Sequence, residues 1–168
     1  AKGEALTLRR VYDFAMEVEI GQLNFLLEGA KMNTTAAETS FAEQYGHGLG
    51  RLLHPISNSP QGILYPIDGT PSAQSLFGDT LFTKIISYTC GACDARMSGA
   101  MVQVMSNSGS GNQGISCSIP VYIYAKENGY SEEKILRALA LSNLTVIYIK
   151  QSLGRLSALC GCVVAATG

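Results

Sequence analysis

The segment of this chain best suited to chemistry is a run of nine polar and glycine residues, Ser106-Asn-Ser-Gly-Ser-Gly-Asn-Gln-Gly114. It offers small hydroxyls, side-chain amides and many backbone N–H groups. Near the start of a helix, such groups suit the binding of an anion such as a carboxylate. A solvated linker is the plain alternative, although a linker does not need Asn and Gln among its glycines.

The same segment contains Gly109-x-Gly111-x-x-Gly114, the glycine spacing of dinucleotide-binding loops. That spacing indicates a nucleotide site only where it joins a strand to a helix within a βαβ unit. Residues 100–105 can pass as a strand, but no second strand with a ribose-binding acid follows at the required distance. The sequence therefore disfavours a nucleotide-binding oxidoreductase.

Two cysteine pairs are the other candidate chemical groups. Cys90-Gly-Ala-Cys93 lies in a helical stretch, without the strand that precedes a redox CxxC motif. A zinc site requires a second ligand pair, and His47 and His54 are distant in glycine- and proline-rich sequence. We therefore predict that this pair consists of packed thiols.

Cys160-Gly-Cys162 differs because it is embedded in small residues, which let a bulky group approach the backbone closely. Packed cysteines are again the plain alternative. An iron–sulfur cluster needs at least three protein thiolates, so this pair alone would be incomplete.

Composition limits the classes of function. The net charge is −1 and the basic residues are scattered, so no basic face for nucleic acid is visible. No apolar run approaches the roughly 18 residues that span a bilayer, and the polar start resembles no secretory signal. We expect a cytoplasmic protein without disulfides, nucleic-acid partners or membrane association.

Helical patterns position these motifs in the first half of the chain. Thr7 can cap a first helix, a second short helix is predicted over Ile20–Leu27, ending near Gly29, and Thr34 or Thr35 can open a third. Residues 54–72 hold four of the five prolines and are predicted to form a loop or hairpin.

In the second half, a helix is predicted from Ser75 to about Gly99, and Ser131 caps the clearest helix of the sequence. Gly154 ends that helix or begins a last one. The prediction is a single all-α domain over residues 1–168, with a glycine-rich loop at 106–114. Because the chain stops inside a run of small apolar residues, we expect it to be a fragment of a longer catalytic protein.

Several segments together resemble the L-cysteine desulfidase group of the iron–sulfur L-serine dehydratase alpha-chain superfamily. They are Asp94–Gly99, Val104–Ile115, Arg137–Ser142, Tyr148–Lys150 and Gly154–Cys162. The likeness is dense from about Ser87 to Gly168 and weaker from Leu23 to Gly50. The order and spacing of the glycine loop and the cysteine segment make the resemblance specific.

The resemblance implies a mostly helical enzyme with a 4Fe–4S cluster on three cysteines, whose open iron acts as a Lewis acid. Such enzymes convert L-cysteine to pyruvate, ammonia and sulfide, or L-serine to pyruvate and ammonia. The family cysteine in this chain is assigned to Cys160, with Cys162 as the alternative. The other two ligands are expected outside the chain, which should therefore lack the cluster and be inactive alone. Cys90, Cys93 and Cys117 lie where the family pattern does not require cysteine, which implies packed thiols.

The resemblance also implies roles for the remaining site residues. Lys150 or Ser110 is predicted to be the base. Substrate carboxylate and amine are predicted to be bound by the loop residues Ser106, Asn107, Ser108, Gly109, Ser110, Gly111, Asn112, Gln113 and Gly114. This requires the thiolate of the cysteine segment and the loop to face the same cavity. A small amino acid is the expected ligand, and a homodimer is a candidate assembly.

A function from another class fits the same residues. A helical module could keep the anion-binding loop, bind a small anion or an amino acid, and have lost the cluster and the activity. Cluster ligands elsewhere in the full-length protein would distinguish the enzyme from this module.

Overall fold

The computed structural model describes residues 5–54, 80–153 and 159–167. These contain seven α-helices and one 3₁₀ helix, and no strand, which confirms the all-α prediction. The helices are α1 (Leu8–Glu17), the 3₁₀ helix Ile20–Leu23, α2 (Asn24–Ala42), α3 (Leu49–Leu53), α4 (Leu81–Met97), α5 (Gly111–Glu127), α6 (Glu132–Leu153) and α7 (Gly161–Ala166).

Several predictions fall outside these residues. Apart from His54, the proline-rich segment 54–72 lies there, as do the predicted start of the fourth helix at Ser75 and the helix boundary at Gly154. Within the described ranges, no helix combines the length and apolar character that a bilayer crossing requires.

The chain divides into two compact units, one of residues 1–33 and 103–168 and the other of residues 34–102. The first unit carries both the glycine segment and the cysteine segment. The single-domain expectation remains a prediction.

In the first unit, α6 packs against α1, the 3₁₀ helix, α5 and α7. Burial of apolar side chains is the main favourable contribution to its stability. Arg137 on α6 donates to the carbonyls of Ala15 and Val18 at 3.0 and 3.4 Å, so a cation satisfies the exposed carbonyl end of α1. The buried core comprises Ala15, Leu23, Leu27, Ala30, Tyr122, Ala125, Ile135, Leu136, Leu139 and Ala140.

Two predicted helix starts are confirmed by their caps. The Thr7 hydroxyl accepts from the Arg10 N–H at 3.3 Å, and the Ser131 hydroxyl accepts from the Lys134 N–H at 3.4 Å. Each hydroxyl satisfies an N–H that has no partner inside its own helix.

The prediction of separate second and third helices is wrong, because α2 runs through both Gly29 and Thr34 without a break. A helix tolerates an internal glycine when close packing requires it. A Cβ at Gly29 would lie 2.7 Å from Cγ of Met105. Gly29 therefore makes room for the chain segment before the glycine loop and does not end a helix.

The second unit depends on a similar close approach between α3 and α4. A Cβ at Gly50 would overlap the backbone of Gly91, and the Ser87 hydroxyl donates to the Gly50 carbonyl at 2.7 Å. Cys90 and Cys93 lie half-buried in α4, and neither forms a disulfide. Burial raises the pKa of Cys90 and the Asp94 carboxylate adds to the effect, in keeping with the predicted packed thiol.

Candidate active site

The glycine segment forms a tight turn followed directly by a helix. Asn107 and Ser110 exchange backbone hydrogen bonds of 3.1 and 3.0 Å. Ser108 and Gly109 between them adopt φ values of 48° and 81°. Two successive left-handed residues reverse the chain within two positions, which is why glycine is suited to the second.

This turn makes the loop shorter than predicted, because residues 111–114 are already the first turn of α5. The Ser110 hydroxyl caps that helix by accepting from the Gln113 N–H at 3.3 Å. The sequence signal for this helix was the pair Ser110 and Gln113, which has the Ser-x-x-Gln spacing of a capping box. Pro120 lies inside α5, and a proline in that position argues against a helix when only the sequence is considered.

A buried hydrogen-bond network anchors the turn to the body of the unit. Nδ2 of Asn107 donates to the carbonyl and to Oδ1 of Asn143, at 3.1 and 2.9 Å. Oδ1 of Asn107 accepts from Nε2 of Gln113 at 2.7 Å and from the Ser108 hydroxyl at 3.0 Å. Asn107 and Gln113 are buried, and their amides hold the turn in position.

The surface of the turn is formed by residues other than Asn107 and Gln113. Ser106, Ser108 and Gly109 are exposed and Ser110 is half-buried, whereas Gly111 and Gly114 are buried. The groups that a ligand can reach are therefore hydroxyls and the peptide at the tip of the turn.

A substitution tests the network. Asn107→Ala is expected to destabilise the protein by about 1–3 kcal/mol, because the buried Nε2 of Gln113 loses its acceptor and Asn143 loses two hydrogen bonds. Asn107→Asp is expected to cost at least as much, because a carboxylate oxygen would replace Nδ2 in a buried site and face two acceptors of Asn143. The measurement is the urea midpoint. Asn128→Ala is the control: it removes one exposed side-chain hydrogen bond, to the Tyr124 carbonyl at 2.8 Å, and should cost no more than about 1 kcal/mol.

A cleft of about 450 Å³ opens beside the turn. One end is polar and is formed by Ser106, Asn107, Ser108 and Asn143, while the other walls are mostly apolar. Apolar walls exclude water and strengthen electrostatic interactions at the polar end. The remaining lining residues are Phe14, Gln22, Leu23, Phe25, Leu26, Ala140, Leu144 and Ile147.

Lys150, the predicted base, lies at the turn. Its Nζ, reaching from α6, donates to the Ser108 carbonyl at 3.4 Å. The fold therefore brings Lys150 and Ser110, which are forty residues apart in the sequence, to the same short segment. A lysine here can supply positive charge or, when neutral, accept a proton.

The cysteine segment also packs against the turn. A Cβ at Gly161 would lie 2.8 Å from Oε1 of Gln113 and 2.9 Å from the Ser110 hydroxyl. Only a residue without a side chain fits there without displacing those groups. The structure thus brings the cysteine segment against the end of the glycine segment. Cys160 and Cys162 are not among the residues that line the cleft beside the turn, so a cavity shared by the thiolate and the loop remains a prediction.

Cys160 is exposed and Cys162 is half-buried, and both are free thiols. Their sulfurs are 2.7 Å apart. The hydrogen bond from Cys162 lowers the pKa of Cys160, whereas burial is the main cause that raises the pKa of Cys162. Of the two, Cys160 is the better source of a thiolate.

Cys117 is unsuited to ligation. It is buried beneath the turn and donates to the Gly114 carbonyl and to Oδ1 of Asn143, at 3.4 and 3.3 Å. Burial raises the pKa of this thiol to about 12. This agrees with its prediction as a packed thiol.

The cysteines of the described residues meet the requirements of an iron–sulfur cluster only in part. Within the described part of the chain, no group of three or more Cys, His, Asp or Glu side chains converges to hold a metal. Cys160 fits one position of such a cluster, because it is exposed, favours the thiolate and adjoins a glycine. Two further thiolates are required from elsewhere.

The chain belongs to the serine dehydratase alpha chain family, which it matches over residues 7–168. It is 58% identical to a UPF0597 protein of Bacteroides fragilis (strain ATCC 25285), a match that covers 97% of this chain and 35% of the relative. UPF0597 proteins of Bacteroides thetaiotaomicron and Phocaeicola vulgatus are 56% and 54% identical, over 97% and 100% of this chain and 34% and 36% of their own lengths. The chain thus spans about a third of the length of these curated relatives. No solved structure matches it.

Proposed function

We propose that this chain contributes the substrate-binding turn and one cluster cysteine to a cytoplasmic iron–sulfur lyase that removes the β-substituent of L-serine or L-cysteine. The observation that supports the proposal most strongly is the contact of Gly161 with Ser110 and Gln113. It places a thiolate-favouring cysteine next to a turn whose exposed groups suit a carboxylate. Membership of the serine dehydratase alpha chain family supports the same reaction class.

In this proposal Cys160 holds the cluster, with Cys162 as the alternative, together with two cysteines from polypeptide that the chain does not include. When bound, the cluster supplies an open iron that acts as a Lewis acid toward the substrate.

The residues of this chain bind and orient the amino acid. The Ser106 hydroxyl and the peptides at the tip of the turn donate to the substrate carboxylate. The buried pair Asn107 and Gln113 keeps these donors in place before the substrate arrives, and preorganised donors cost no reorganisation during the reaction.

A base at the turn then takes the α-proton. Lys150 is the first choice because its amine adjoins Ser108, and Ser110 is the second. Loss of the α-proton and departure of hydroxide or hydrosulfide leave 2-aminoacrylate. This product tautomerises and hydrolyses to pyruvate and ammonia, which accounts for all atoms of either substrate.

The proposal is tested at full length. The 163-residue region of the Bacteroides fragilis relative that aligns with this chain is exchanged for this chain. The chimera and the unmodified relative are then reconstituted with iron and sulfide without oxygen. Pyruvate release from L-serine or L-cysteine is expected from both. If both proteins carry the cluster and neither releases pyruvate, the proposed lyase activity is excluded. Saturable amino-acid binding without turnover would then favour the non-catalytic module.

Lys150→Met in the same chimera is expected to lower kcat/KM by about 10²–10⁴-fold, the usual contribution of a general base. Lys134→Met is the matched control, since Lys134 lies exposed at the start of α6. Equal activity of the two variants would remove Lys150 from the role of base and leave Ser110 as the candidate.

A further inference from the structure

We infer that Cys160 and Cys162 form a reversible intrachain disulfide when the protein is exposed to a peroxide. Their sulfurs lie 2.7 Å apart, whereas a disulfide bond is about 2.05 Å long. Bond formation therefore requires a small movement of the two side chains and no rearrangement of the fold.

The backbone places the two sulfurs together. Cys160 is the extended N-cap residue of α7, with φ −63° and ψ 125°, and the helix begins at Gly161. The change from extended to helical backbone between the two cysteines turns both side chains toward each other. Gly161, which has no side chain, seats this tripeptide directly on Ser110 and Gln113.

Access also favours this pair. Cys160 is exposed and Cys162 partly so, whereas Cys117 is buried. Cys90 and Cys93 belong to the other unit of the chain. A small oxidant thus reaches the Cys160–Cys162 pair from solvent.

The reaction consumes one peroxide for each bond. One thiol is oxidised by hydrogen peroxide to a sulfenic acid and one water is released. The second sulfur attacks the sulfenic sulfur, the S–S bond forms and a second water leaves. Two electrons pass from the thiols to the peroxide, and a dithiol reductant reverses the change.

The disulfide itself does not depend on the proposed activity. Its consequence does, because an oxidised Cys160 offers no thiolate to a cluster. If the bond forms but the reconstituted protein releases no pyruvate, the proposed function fails and this inference stands. If pyruvate is released but no disulfide forms, this inference fails and the proposed function stands.

The wild-type chain permits a direct test. Trypsin cleaves after Arg155, the last basic residue, so the peptide 156–168 contains Cys160 and Cys162 and no other cysteine. After peroxide treatment, alkylation and digestion, this peptide is expected to have lost two hydrogens and to carry no alkyl group. Non-reducing electrophoresis should show no disulfide-linked dimer, and dithiothreitol should restore both alkylation sites.

The synthetic peptide 156–168 is the matched control, since its sulfurs are not held by the fold. The folded chain is expected to form the bond about tenfold faster, as positioning predicts. Cys162→Ser should form no intrachain bond in this peptide. Full alkylation of both cysteines in the folded, peroxide-treated chain would overturn the inference. So would equal rates for the folded chain and the peptide, or a mainly intermolecular product.

Discussion

Replacing Cys160 with alanine in the full-length chimera is expected to lower pyruvate release by at least about 10²-fold. Loss of an outer-shell partner already lowers metal affinity or activity by 10–100-fold, and loss of a direct ligand should exceed that. The physical reason is that Cys160 is the exposed thiol whose pKa is lowered, beside the turn. Iron content, measured after reconstitution, should fall in parallel.

Cys162→Ala is the matched control two residues away. It removes the hydrogen bond to Cys160 but leaves that thiolate, so most of the iron is expected to remain. If Cys162→Ala loses the iron and Cys160→Ala retains it, Cys162 is the cluster ligand. Full iron content in both variants would exclude the cysteine segment from the cluster.

Replacing Gly114 with alanine is expected to destabilise the protein by about 3 kcal/mol, at the upper end of typical overpacking costs. The new Cβ would overlap the Met105 carbonyl oxygen and lie 2.9 Å from the carbonyl carbons of Met105 and Ser106. These are backbone atoms, which cannot change rotamer to make room.

The Met105 backbone is also held from its other side. Its N–H donates to Oδ1 of Asn33 at 2.8 Å, and its carbonyl accepts from Nδ2 of Asn33 at 3.3 Å. Relief of the overlap therefore breaks this pairing or moves the Asn107 turn. The measurement is the urea midpoint, with the activity of the chimera as a second readout.

Gly21→Ala is the control for this substitution, because a Cβ at Gly21 meets no atom within 4 Å. It should leave the midpoint nearly unchanged. An equally mild effect at Gly114 would show that the start of α5 and the chain around Met105 can separate easily, against the close packing described above.

The sequence allowed the elements with local signals to be predicted. Thr7 and Ser131 are helix caps in both the prediction and the structure, since a cap depends on residues three positions apart. The all-helical class followed from apolar periodicity. The continuity of α2 could not be predicted from such periodicity. Gly29 lies inside this helix because it packs against Met105, which is far away in the sequence.

The candidate site shows the same division. The glycine segment, the cysteine segment and the family resemblance were readable from residue types and spacing. Burial of Asn107 and Gln113 was not, because a polar amide in a glycine-rich segment has the same sequence signature whether it faces solvent or a partner inside the fold such as Asn143. The capping spacing of Ser110 and Gln113 was the one local signal for α5, and Pro120 obscured it.

The sequence alone thus determined which groups are available: hydroxyls, thiols, a lysine and the helices that carry them. Tertiary structure decided which of them meet. Gly161 packs on Ser110, and Lys150 reaches Ser108, across separations of roughly fifty and forty residues. Such contacts depend on how helices α5, α6 and α7 pack around a shared core, and no local pattern encodes that packing.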